Sequence, residues 1–102
     1  MTLTVDFAPA AERQLLELYE WIANNGAPTA AERFVSSIID FCERLVDMPM
    51  IGAARDDIRP GLRTVGFRHR AVIAFQLAGA RITILGVFYG GQDYEARLAA
   101  GG

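Results

Sequence analysis

From Thr2 to Phe7 apolar and polar residues alternate, with Leu3, Val5 and Phe7 on one face and Thr4 and Asp6 on the other. That period of two predicts a half-buried strand. Beyond Pro9, which suits the first turn of a helix, the period changes. Leu15, Leu18, Tyr19 and Ile22 recur at i, i+3, i+4 and i+7, the stripe of an amphipathic helix, and Glu12, Glu17 and Glu20 fall near or on its other side. Asn24-Asn25-Gly26 is expected to end it, because Asn and Gly tolerate left-handed backbone. A second helix is expected to open at Pro28-Thr29, where Thr29 and Glu32 have capping-box spacing. Phe34, Ile38, Phe41 and Leu45 form its stripe, and Val35, Ile39, Cys42 and Val46 widen it. So broad a stripe suits a helix packed against both a partner helix and a sheet. Asp47-Met48-Pro49 stops it.

The second half reads as sheet. Gly52 to Gly61 is expected to be a turn with a short strand around Ala54 to Ile58, and Leu62 to Phe67 a strand. Within Arg70 to Leu77, Ala71, Ile73, Phe75 and Leu77 alternate with Val72, Ala74 and Gln76. After the tight link Ala78-Gly79-Ala80, Arg81 to Tyr89 has the strongest strand pattern. Ile82, Ile84 and Phe88 are expected on one face, and Leu85, Val87 and Tyr89 on the other. Gly90-Gly91 breaks that strand, Tyr94 to Leu98 suits a helical turn, and 99–102 is expected to be a frayed tail.

These elements predict a single α+β domain over residues 1–102, in the order β-α-α-β-β-β. The short link at 24–28 makes the helices an antiparallel hairpin. Short loops between the last strands make them an antiparallel meander. The hairpin must bury its stripe on one face of this mainly antiparallel sheet. The last two strands are apolar on both faces, so Val72, Ala74, Leu85 and Val87 are expected to stay exposed on the far face. Such a surface is either a partner site or is shielded by long Arg stems.

Composition narrows the class. Hydrophobic residues are 52% of the 102, which excludes a disordered chain. No apolar run approaches the ~20 residues of a membrane helix, and Met1 to Asp6 shows no secretion signal. With one cysteine, Cys42, no internal disulfide forms. The expectation is the cytoplasm, or an equivalent reducing compartment, with no membrane partner. Net charge is −2, divided as −5 over residues 1–52 and +3 over 53–102. Every basic residue is Arg, which excludes Schiff-base chemistry on Lys and a Walker-type phosphate loop.

One His and one Cys do not make a metal centre, and no cofactor is expected. Ser36 and Ser37 sit mid-helix, without a nucleophile-elbow setting. What remains is Arg55, Arg59, Arg63, Arg68, His69 and Arg70, with Tyr89 at the end of the last strand. A metal-free ribonuclease needs a base for the 2′-hydroxyl, an acid for the leaving oxygen and cations for the phosphorane. Arg63, His69 and Tyr89 offer those parts. The competing reading is structural: the Arg residues pair with Asp56, Asp57 or a protein partner, and His69 caps a bend. Direct nucleic-acid binding by this chain alone is not expected at net charge −2 without Lys. Arg55, Arg59, Arg63, Arg68 and Arg70, with Val72, Leu85 and Val87, read better as a protein-docking rim beside an apolar face.

Several stretches together resemble the RelE/ParE superfamily of bacterial toxins, and its ParE branch in particular. They are Phe7 to Ala11 leading into the first helix, Leu15, Leu18 and Tyr19 to Ala23 on it, and Ala30, Ala31, Phe34 and Ile38 on the second. Leu45, Pro49 and Gly52, then Arg55 to Arg63, then Ile82 to Asp93 complete the set, which spans nearly the whole chain. The resemblance implies the toxin of a type II toxin–antitoxin pair. It would be held inactive by a cognate, ParD-like antitoxin with a ribbon-helix-helix DNA-binding part. ParE-like toxins are associated with DNA gyrase, and RelE-like relatives with cutting mRNA on the ribosome. The absence of Lys leans toward ParE. Many relatives carry His near the end of the last strand where this chain has Tyr89, and Phe67-Arg68-His69-Arg70 departs from the aromatic residues often found at the start of the preceding strand. Three functions therefore stand open: a gyrase inhibitor that works by binding, a ribosome-dependent endoribonuclease, and a non-toxic antitoxin-binding relative.

Overall fold

The computed structural model describes residues 2–90 and 93–99. Strand β1 (Thr4–Phe7) leads into α1 (Pro9–Asn25), and α2 (Pro28–Glu43) follows and runs into a 3-10 turn, Arg44–Asp47. Then come β2 (Ala53–Ala54), β3 (Leu62–Phe67), β4 (Ala71–Ala78), β5 (Arg81–Tyr89) and a short helix, α3 (Tyr94–Ala99). The strands form one sheet in the order β1-β5-β4-β3-β2. The β2–β3–β4–β5 pairings are antiparallel, as the short loops require. β1 joins β5 in parallel, with Thr4 opposite Arg81 and Phe7 opposite Ile84. The α+β expectation holds, with the helices packed on a mixed, mostly antiparallel sheet. Residues 100–102 of the expected tail, and Gly91 and Gln92 of the family-like segment, lie outside the described residues.

Both long helices start on a proline, after Ala8 and Ala27 in extended backbone, and neither has a side-chain cap. The expected Thr29–Glu32 capping box does not form, because the helix starts at Pro28 and leaves Thr29 inside its first turn. The end of α1 also differs from expectation. Gly26 does not take up left-handed backbone; its φ is −155°. The Asn25 side-chain amide instead donates to the Trp21 carbonyl one turn back, at 2.8 Å. The strand expected around Ala54 to Ile58 is only Ala53–Ala54. After it the chain turns, with Ile58 N–H donating to the Arg55 carbonyl and Gly61 N–H to Asp56 Oδ1 at 2.9 Å.

The main core lies between the hairpin and one sheet face. Leu15, Leu18, Ile38, Cys42 and Leu45 pack there against Phe67, Ile73, Phe75, Ile82 and Ile84. Each fully buried Leu, Ile or Phe side chain is worth about 1.5–3 kcal/mol relative to exposure.

Strand β5 carries a β-bulge. Phe75 faces Ile84, but Ala74 faces Gly86, so Leu85 is an extra residue with no partner. One inserted residue inverts every later side chain. Val87 therefore lies in the helix-side core at 3% exposure, and Phe88 points to the opposite face. This corrects the expected faces of β5 and removes Val87 from the exposed surface. The far face is also less open than expected. Leu62, Ala74 and Phe88 form a second cluster with Leu98 of α3, flanked by Ile58, Leu85 and Tyr94. Ala74 is fully buried, while Val72 and Leu85 remain half-buried. Among the described residues no helix is long and apolar enough to cross a membrane.

Candidate functional site

The sheet-half arginines divide into two groups. Arg55 binds the Asp57 carboxylate through Nε at 3.1 Å and Nη2 at 3.0 Å, reaches Glu95, and donates from Nη1 to the Tyr94 hydroxyl at 3.3 Å. The guanidinium hydrogen bond holds the Asp57 carboxyl below its ordinary range, and the bonds to Asp57 and then Glu95 tighten the Arg55 proton in turn. Arg59 donates to the Leu98 carbonyl at 3.0 Å. Arg55 and Arg59 thus fasten α3 to the turn before β3. Arg63 donates from Nε to the Ile51 carbonyl at 3.2 Å and from Nη2 to the carbonyls of Met50 and Gly52, which shapes the loop before β2. Arg81 pairs with Asp6 across β1 and β5 at 3.2 Å. Arg68, Arg70 and Arg97 form the second group: among the described residues they make no ion pair or side-chain hydrogen bond.

Arg68 and Arg70 flank His69 in the β3–β4 connection, where all three are exposed. Arg70 N–H donates to the Phe67 carbonyl at 3.0 Å, and both central residues have positive φ, 50° for Arg68 and 57° for His69. This is a type I′ hairpin turn, whose twist matches the strands but which strongly favours Asn-Gly. A side chain other than Gly in left-handed backbone costs about 1–2 kcal/mol. The Arg68 guanidinium lies 5.1 Å from the centroid of the Phe67 ring.

Next to this turn a cleft of about 570 Å³ opens between α1 and the end of β5. It exists because β1 pairs with β5 only as far as Ile84, so helix α1 rather than a strand borders the rest of that edge. Gln14 Oε1 there accepts the Val87 N–H at 2.7 Å. The walls are Gln14, Glu17, Leu18 and Trp21 of α1, the floor is Val87, Tyr89 and Gly90, and Arg97 of α3 closes the far side. Trp21 is 57% exposed at its mouth. Its ring meets Tyr89 at 6.0 Å between centroids, Tyr89 meets Phe34 at 5.9 Å, and Phe34 meets Phe67 at 6.0 Å. Edge and tilted pairs of this kind add about 0.5–1.5 kcal/mol each beyond burial. They brace the cleft against the turn.

The structure brings His69 and Tyr89 to the same end of the sheet. Tyr89 faces Ala71, which faces Phe67, and Gly90 N–H donates to the Arg70 carbonyl at 3.4 Å. Arg63 is elsewhere. It faces Phe75 and itself lies four residues before Phe67, about 13 Å along the strand. The three candidate nuclease residues do not converge on one point, and the Arg63 guanidinium is occupied by backbone carbonyls. Cys42 is no nucleophile either: burial, and then Glu43, push its thiol up to about 12. Among the described residues no three His, Cys, Asp or Glu side chains gather to hold a metal. The sequence reading missed the cleft residues Gln14, Glu17, Trp21 and Arg97. Positions 14, 17, 18 and 21 do follow helical spacing, but only the early end of β1 gives that face something to line.

Residues 5–94 match the family described as the ParE toxin of the type II toxin–antitoxin system parDE. Toxin ParE3 of Caulobacter vibrioides is 33% identical over 75 residues, covering 74% of this chain and 73% of that protein. Among solved structures, a chain of the chromosomal ParDE toxin–antitoxin system of P. aeruginosa superposes with a TM-score of 0.75 at 22% identity, over 86% of this chain and 96% of that one. A chain of the RelBE2 toxin–antitoxin complex of Mycobacterium tuberculosis gives a TM-score of 0.61 at 18% identity, over 88% and 100%. At those identities the two structures speak for the fold.

Proposed function

This chain belongs to the ParE toxin family of type II toxin–antitoxin systems, and we propose that it acts by binding DNA gyrase rather than by cutting RNA. The observation that carries this reading is the dispersal of Arg63, His69 and Tyr89. Acid–base catalysis requires its groups within hydrogen-bond reach of one substrate, yet Arg63 serves the Met50–Gly52 carbonyls about 13 Å along the sheet from the others. The unpaired cations and the half-open aromatic cleft suit a protein surface. The reading takes the cytoplasm as the place of action, and a cognate ParD-like antitoxin with a ribbon-helix-helix DNA-binding part as the neutralising partner.

A side-by-side assay tests it. Purified toxin is expected to block gyrase supercoiling, or to trap cleaved DNA, while leaving ribosome-bound mRNA intact. Unchanged supercoiling at saturating toxin, together with codon-linked mRNA cleavage abolished by Arg63→Ala, His69→Ala or Tyr89→Ala, would replace this mechanism with a ribonuclease. Growth unaffected by the toxin without its antitoxin would point instead to a relative that has lost toxicity.

A further inference from the structure

Three features meet at one corner of the molecule. The β3–β4 turn holds two non-glycine residues, Arg68 and His69, in left-handed backbone. The only sheet-half arginines whose side chains make no hydrogen bond or ion pair among the described residues are Arg68, which lies over the Phe67 ring, Arg70 and Arg97. Two of them flank Gly90, since the Arg70 carbonyl accepts its N–H and Arg97 lines the cleft with it, and Arg68 lies two residues before Arg70 in the same turn. The cleft adds an exposed Trp21 on a braced aromatic floor. Strain persists in a fold only where the surroundings impose it, and it gathers at functional elements. Here it falls on a short turn whose two arginines, Arg68 and Arg70, are both exposed.

We propose that this corner receives an acidic segment of the neutralising partner. The segment would set an apolar side chain beside Trp21 in the α1–β5 cleft, and its carboxylates would meet Arg68, Arg70 and Arg97. The assignment deepens the antitoxin reading above and rests on it. Charge selects the occupant. Arg guanidinium groups pair with carboxylates in bidentate geometry, and a cluster left without internal acids lacks only the partner's. A nucleic-acid strand fits less well. It would extend beyond the corner over α1 and α2, in the half of the chain that carries −5, and would meet Glu17 in the cleft wall. A peptide places its few charges locally and escapes that repulsion. Arg55, Arg59, Arg63 and Arg81 are excluded from the contact because each already serves an internal partner.

Trp21 is the only tryptophan in the chain, so its emission reports the cleft. The toxin is titrated with its cognate antitoxin, in a tryptophan-free version. The expected results are a blue shift of Trp21 emission on binding and at least a tenfold loss of affinity in Arg68→Glu/Arg70→Glu and in Arg97→Glu. Arg33→Glu, on the outer face of α2, should bind as the unsubstituted chain does. Replacing Arg68-His69 with Asn-Gly should raise the melting temperature, because the turn is relieved, while weakening binding. That variant keeps the test sound, since it cannot lose binding by unfolding. A tight complex whose affinity is unmoved by all three corner variants, with Trp21 emission unchanged, overturns the assignment and leaves the antitoxin reading standing. No complex with the unsubstituted toxin overturns both. A single-stranded oligonucleotide that binds the corner and displaces the antitoxin would also overturn it in favour of nucleic acid.

Discussion

The side chain of Gln14 stands in for a strand: its Oε1 accepts the Val87 N–H at 2.7 Å, past the last residue of β5 that β1 pairs. Val87 is 3% exposed, so without Gln14 its N–H would be buried with no acceptor. Gln14→Leu is expected to destabilise the fold by about 1–3 kcal/mol. Gln14→Glu keeps an acceptor at the same reach and should lose less. Urea denaturation of the three chains checks the order, and equal stability of Leu and Gln would mean the bond contributes nothing.

Gly52 and Gly79 separate steric collision from backbone preference. Both have positive φ, 79° and 59°. A Cβ on Gly52 would run into the Thr64 carbonyl, whereas one on Gly79 meets nothing within 4 Å. Gly79→Ala should therefore cost about 1–2 kcal/mol from backbone strain alone. Gly52→Ala should cost more, adding displacement of β3 and of the Arg63 bond to the Gly52 carbonyl. Denaturation midpoints of the two variants should differ clearly, with Gly52→Ala the lower.

The attachment of α3 should depend on acid. Asp57 has its folded pKa depressed by Arg55, so the stability it supplies is fully present above its ordinary value near 3.8 and is lost as pH falls through the depressed value. The protection factors of the α3 amides, taken against the intrinsic exchange rate at each pH, are expected to fall below pH 3.8, and to be lower already at neutral pH in Arg55→Ala. Leu98→Ala, which empties the packing on Leu62 and Phe88, should cost about 2–5 kcal/mol. If exchange in α3 keeps the same profile after Arg55→Ala, the Arg55 bonds do not hold the helix.

Cys42 should be silent to thiol reagents. It is fully buried, and its thiol titrates at about 12 instead of 9.0. A raised folded pKa contributes stability below the unfolded value and loses it as pH climbs from 9.0 toward 12. Labelling by a disulfide reagent is expected to follow the global unfolding rate at neutral pH, and stability is expected to fall above pH 9. Rapid labelling of the folded chain would show an open path to the α2 core.

The hairpin and the meander were legible because their periods are long and unbroken: Leu15, Leu18 and Ile22, then Ala71, Ile73, Phe75 and Leu77. What escaped were features without a period. The bulge at Leu85 leaves no mark in an already apolar strand, so counting alternate residues through it put Val87 and Phe88 on the wrong faces. The six residues of α3 hold two apolar anchors, Tyr94 and Leu98, too few to announce that they close the far face. Thr29 and Glu32 had the spacing of a cap, but Pro28 started the helix one residue earlier. The Arg-rich half was visible from composition. Which of its charges are spent internally, and which remain for a partner, depends on loops that meet only in the folded chain.

The parallel pairing of β1 with β5 gives this toxin a late moment of completion. The first strand made must wait for the last, because Thr4–Phe7 finds its partner only in Arg81–Ile84. Pairings so distant along the chain carry a large loop-closure cost and slow folding. While a ribosome is still extending the polypeptide, the hairpin has no finished sheet to cover, and a nascent or prematurely ended product has neither the cleft nor the braced arginine tip. The cleft is therefore complete only once the final strand has been made.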